Sequence, residues 1–92
     1  MSPPVTVHLD ILNRLDDRVT AFEDSYKDFK NRNARKGGNP TRAQDAADLE
    51  SKRKQLLQEI NHVPTNPVFK LTLSEDYRVT RFKERLPQKE IR

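Results

Sequence analysis

Five cations crowd the stretch KNRNARKGGNPTR, residues Lys30 to Arg42: Lys30, Arg32, Arg35, Lys36 and Arg42, with no acidic residue among them. Such a cluster can neutralise phosphates, and Asn31, Asn33, Asn39 and the amides opening a following helix would add donors. No aromatic residue lies between Lys30 and Arg42, so base stacking is unsupported. Binding by charge alone would be weak, salt-sensitive and indifferent to sequence. KGGNPT has the glycines of a phosphate-cradling loop but not its preceding strand or its Gly-Lys-Ser/Thr order. The ordinary role of such cations is to favour the negative end of a helix dipole.

Other reactive groups are scattered. There is no cysteine, and the serines at 2, 25, 51 and 74 have no histidine spaced to activate them. The carboxylate neighbours Asp16 with Asp17 and Glu23 with Asp24 diverge on a helix, which leaves paired acid–base work without a geometry. His8 and His62, with Asp10 and Glu59, fall towards one end of the fold inferred below. A metal centre needs three or four convergent ligands with supporting partners, and ordinary histidines account for the pattern more simply. The sequence therefore points away from an enzyme and calls for no catalytic, cofactor or metal residue.

The elements that would carry these groups are sparse in apolar material. Of the 92 residues 33% are hydrophobic and 35% charged, and the mean hydropathy of -1.00 would place a compact globule near the disordered boundary. A coiled coil escapes that limit because it needs only two apolar positions in seven. Net charge is +4 and unevenly spread. Residues 1–28 carry three basic and six acidic groups, residues 29–44 five and none, residues 45–63 three and four, and residues 64–92 seven and four.

Apolar residues at Leu12, Leu15, Val19, Phe22, Tyr26 and Phe29 alternate steps of three and four, the seam of a heptad helix. A second seam runs Ala46, Leu49, Arg53, Leu56, Ile60 and Val63. Gly37 suits a left-handed helix stop, and Asn39 with Pro40, or Thr41 with Gln44, suits a new start. The break is short, so the helices fold back as an antiparallel hairpin. Pivoting on Gly37 and Gly38, facing residues have numbers summing to about 75, which pairs the two seams from Phe29 with Ala46 to Leu12 with Val63. Arg53 would meet Phe22, either laid on its ring or merely setting register. Charges at spacing four, Asp10 to Arg14, Glu23 to Lys27, Asp28 to Arg32, Asp48 to Lys52 and Glu50 to Lys54, read as solvated pairs.

Pro64 and Pro67 mark a linker over 64–67. Beyond it, strict alternation of Phe69, Leu71 and Leu73 reads as a strand. SEDYRVTRFKERLP is either a helix capped by Ser74 or a second strand, and Tyr77, Val79, Thr80 and Phe82 favour the strand. The expected fold is thus mainly α: a two-helix coiled-coil hairpin over 1–63 with its turn at 36–40, and a C-terminal β or extended segment over 68–92 packing on the open end. Val5, Val7 and Leu9 in VTVHL either extend the first helix or add a strand. With no partner inside the hairpin, residues 5–11 need the C-terminal segment as cover. A basic tail on the acidic first helix would also be electrostatically favourable, within one chain or between chains.

A bare hairpin is marginal, so further packing is expected from the chain itself or a partner. Ile11, Leu57, Phe69, Leu71, Leu73, Tyr77, Val79 and Phe82 are the candidate contacts with a partner or a second copy. The leading expectation is a non-enzymatic structural, assembly or adaptor protein that forms a homo-oligomer or docks on a protein partner. The alternative is a nucleic-acid-binding accessory protein using the basic tip, joined by Arg78, Arg81, Lys83 and Arg85. No window approaches the roughly 20 apolar residues of a membrane span, and the start MSPPVTVHLD lacks a signal peptide's basic and apolar regions. The sequence reads as soluble and cytoplasmic, or as part of a larger assembly such as a virion.

Overall fold

A computed structural model describes residues 4–66 and 69–92, with side chains from Leu9 onward. Three helices follow in order: α1 (Pro4–Asn33), α2 (Arg42–Thr65) and α3 (Leu73–Arg85). The α1 segment is 30 residues long, or about 45 Å at the helical rise of 1.5 Å per residue. It sets the long axis of a rod measuring 56 × 22 × 17 Å. The radius of gyration, 15.9 Å, exceeds the roughly 12 Å of an average globule of this length.

The heptad seams form the core. Leu12, Leu15, Val19, Phe22 and Phe29 of α1 are buried with Ala46, Leu49, Leu56, Ile60 and Val63 of α2, and Tyr26 packs partly buried against them. Antiparallel register is reported by two ion pairs, Arg18 with Glu59 and Arg32 with Asp45. Their numbers sum to 77 in both cases, within two of the pivot register, as expected for residues flanking a seam. Gly37 and Gly38 reverse the chain at φ +94° and +75°, a conformation in which a Cβ is strained. The α1 helix stops before them at Asn33, and Gly38 N–H donates to Arg35 O at 2.9 Å to close the turn.

The C-terminal segment differs from expectation. Among the described residues there is no strand: Phe69 to Thr72 have no regular secondary structure, and SEDYRVTRFKER belongs to α3. A capping box decides this. Thr72 Oγ1 accepts from Glu75 N–H at 3.2 Å, and Glu75 Oε1 accepts from Thr72 N–H at 2.9 Å, so two free donors of the first turn are satisfied locally. Helical spacing then brings Val79 and Phe82 to one face, where they join the core with Leu86 and Ile91. The expected second strand would have paired only with the strand at Phe69 to Leu73, and an isolated two-stranded hairpin is marginal in water.

Pro64 does not end α2, which continues through it to Thr65. The missing N–H falls in the last turn, where Thr65 Oγ1 donates to the carbonyls of Asn61 and His62. Pro67 and Val68 lie outside the described residues. The expected alternatives for VTVHL resolve as helix, since α1 begins at Pro4; Val5, Val7 and His8 lie outside the described side chains, while Leu9 is exposed.

Candidate interaction surfaces

The basic tip divides into committed and uncommitted cations. Lys30 Nζ lies 4.8 Å from the centroid of the Tyr26 ring. Arg32 pairs with Asp28 at 2.5 Å and reaches Asp45 at 3.7 Å. Among the described residues Arg35, Lys36 and Arg42 pair with no carboxylate, and all three are exposed. The amides opening α2 are not a ready phosphate cradle. Asn39 Oδ1 accepts from Thr41 N–H and Oγ1, each at 3.1 Å, and Asp45 Oδ2 accepts from Asn39 Nδ2 and Thr41 Oγ1, each at 3.0 Å. Bonds from Asn39 and then Thr41 overcome partial desolvation and, with Arg32, hold the Asp45 carboxyl below its ordinary range. A fixed negative charge therefore stands at the helix start where an anion would approach. Asn33 Oδ1 is buried nearby without a donor, and an acceptor offers an anion nothing.

Cations of the C-terminal segment are employed differently. Arg85 Nε donates to Glu23 Oε1 at 3.0 Å, Nη1 to Asp16 Oδ1 at 2.8 Å and Nη2 to Thr20 Oγ1 at 2.8 Å. Its hydrogen bonds to Glu23 and then to Asp16 outweigh the opposing effect of burial and raise its pKa. Arg78 donates to Asn13 at 3.2 Å, approaches Asp16 at 3.8 Å and lies 5.8 Å from the Phe82 ring centroid. Arg81 pairs with Glu84 at 3.5 Å. The expected packing of basic tail on acidic first helix is thus realised within one chain. It removes Arg78 and Arg85 from the set available to phosphate.

The spacing of Glu50 and Lys54 predicts an exposed pair, yet Glu50 is buried and its Lys54 contact is a long 3.9 Å. Oε1 accepts from Ile91 N–H at 3.1 Å and from Arg53 Nε at 2.8 Å. Burial opposes its ionisation, but the Ile91 and Arg53 hydrogen bonds and the charges of Arg53 and Lys54 more than compensate, so its carboxyl is held below the ordinary range. Arg53 is therefore turned to Glu50, and among the described residues no cation lies on Phe22. The Glu50 site anchors the tail, where the buried Ile91 lines one cavity with Ala43, Ala46 and Ala47. Nothing in the local sequence around Glu50 signals an amide arriving from residue 91.

The expected contact residues separate into three groups. Val79 and Phe82 are core, so their place in a partner contact is filled by the hairpin itself. Ile11, Leu57, Phe69 and Leu71 are partly buried against that core. Leu73 is 91% and Tyr77 64% exposed, one turn apart on the outer face of α3. A groove of ≈ 310 Å³ opens beside the other face of the hairpin, with Ile11, Leu15, Val63 and Phe69 as its apolar lining and Arg14, Arg18 and His62 among its polar residues.

Among the described residues no group of three or more His, Cys, Asp and Glu is placed to hold a metal ion. His8 lies outside that set, so its expected approach to His62 lies outside the described residues too. No helix among them is long and apolar enough to cross a membrane. No protein-family model matches the chain, and neither does any curated protein or solved structure.

Proposed function

We propose that the chain is a non-enzymatic helical assembly or adaptor module that self-associates or docks on a protein partner. The observation that carries this reading is the pair Leu73 and Tyr77, 91% and 64% exposed. Large apolar side chains scattered singly on a surface are unremarkable, but two stacked at i and i+4 on an amphipathic helix form a ridge suited to a partner's groove. The thin rod has little core to spare, and burial of this ridge adds apolar area that the monomer leaves in water. Light scattering on the full chain tests the reading: replacing Leu73 and Tyr77 together with Ser abolishes association while far-ultraviolet circular dichroism stays unchanged. A wild-type chain that neither self-associates nor retains any protein partner through these residues removes it.

A second reading rests on Arg35, Lys36 and Arg42, which remain exposed without carboxylate partners among the described residues. In this reading the tip holds nucleic-acid backbone without base readout. Titration of duplex DNA and RNA at low salt tests it. Unchanged affinity after replacing the three residues with Ala removes the role of the tip.

A further inference from the structure

The exposed ridge and the open-end groove lie on opposite faces of the hairpin. On α1, the side chains that reach α3 are Asn13, Asp16, Thr20 and Glu23. Those on the groove side are Arg14 and Arg18, and the same edge continues to Ala21 and Ser25. Within α3, Val79 and Phe82 face the core, and Tyr77, two residues before Val79, points the other way at 100° per residue. So α3 turns its apolar ridge outward from one face, while the groove opens on the other.

The charges beside these features match. Arg14, on the groove, pairs with no carboxylate among the described residues, and neither does the histidine of the groove, His62. Asp76, the neighbour of Tyr77, is exposed and pairs with no cation among the described residues. Arg18 and Glu59, both on the groove, pair with each other, which leaves Arg14 as the groove's unpaired guanidinium among the described residues. An apolar ridge beside an unpaired carboxylate thus has its counterpart in an apolar groove beside an unpaired cation, and both belong to the same chain. The groove volume is at the lower end of the range in which proteins hold ligands.

We infer that the groove lined by Ile11, Leu15, Val63 and Phe69 receives the Leu73–Tyr77 ridge of a second copy of this chain, with Asp76 of that copy set against Arg14. The inference rests on the self-association limb of the proposed function and gives it a geometry. Donor and acceptor surfaces are different patches on opposite faces, so the contact is heterologous: each copy offers a ridge to one neighbour and a groove to another. Such contacts build a closed ring where the rotation closes and an open filament where it does not. Association therefore passes beyond a dimer as concentration rises.

Sedimentation velocity on the full chain tests this with substitutions at exposed positions. Arg14→Glu alone and Asp76→Arg alone each set like charges across the contact and weaken association by about tenfold, the equivalent of about 1.4 kcal/mol. Mixed in equal amounts, the two variants recover assembly, because each reversed group then meets its opposite. Leu73→Ser with Tyr77→Ser leaves a chain that still offers a groove; added to wild type, it caps growing assemblies and lowers their mean mass. Wild-type association that withstands the two charge reversals, or a mixture that fails to recover, overturns the inference and leaves the broader reading intact. A wild-type chain that stays monomeric overturns both the inference and self-association, leaving docking on a different protein.

Discussion

Two groups of basic residues, similar in composition, end in opposite situations. Arg78 and Arg85 lie over the carboxylates of α1 and are bonded to Asn13, Asp16, Thr20 and Glu23. Arg35, Lys36 and Arg42 project from the hairpin tip with no carboxylate partner among the described residues. The difference lies in what each sits beside. Residues 1–28 hold six acidic groups, and α3 is laid along them by Val79 and Phe82. At the tip, Asp28 and Asp45 are already engaged by Arg32. A count of cations thus says little about their availability; the element that carries them decides it.

The strongest way to break this contrast is Phe82→Ala. Removal of that buried ring destabilises the fold by about 3–5 kcal/mol, read as a fall in the urea midpoint. At denaturant concentrations that release α3, Arg78 and Arg85 become as free as the tip cations. Arg85→Ala acts next. It removes charge-assisted hydrogen bonds from a partly exposed site, so a loss of about 1–2 kcal/mol is expected after allowance for solvent screening. No loss of stability would mean that the Asp16 and Glu23 bonds do not hold α3 in place.

Acid adds a milder probe of the same C-terminal cover. The Glu50 carboxyl has a lower pKa folded than the ordinary 4.5, so the folded state favours its ionised form. Its contribution is complete above about pH 4.5 and is lost as pH falls through the lowered folded value. Glu50→Gln should therefore flatten the fall of stability with acid in that window, seen by chemical denaturation at stepped pH. The smallest effect is expected from replacing Arg35, Lys36 and Arg42 with Ala, within about 0.5 kcal/mol of wild type. A large loss of stability there would show that the tip, too, is tied into the fold.

Much of the hairpin is legible in the sequence because its signals are local and repeated. The two seams, the glycine pivot and the offset between them come from spacing alone, and the buried apolar residues of α1 and α2 follow those seams, with Tyr26 and Arg53 left partly exposed. The third helix is disguised as a strand for a specific reason. Tyr77, Val79, Thr80 and Phe82 are residues that strands favour, and this preference is weak when no neighbouring strand exists to pair with. The stronger signal is Thr72 with Glu75, a capping pair that starts two residues before Ser74, the other residue suited to a cap. Val79, Phe82 and Leu86 also have the spacing of three and four that a helix buries. Glu50 shows a deeper limit. A carboxylate four residues before a lysine has the pattern of a solvated pair, and only the arrival of Ile91 from the far end of the chain makes it a buried anchor.

The proposed function has this thin rod, with its apolar ridge left in water, completed by association with protein. The most direct test is the weight-average mass of the wild-type chain, by sedimentation equilibrium, from low micromolar to near-millimolar concentration. Ridge-to-groove association predicts a mass that rises above the 10.8 kDa of one chain and continues past twice that value. A mass constant at one chain throughout would contradict self-association.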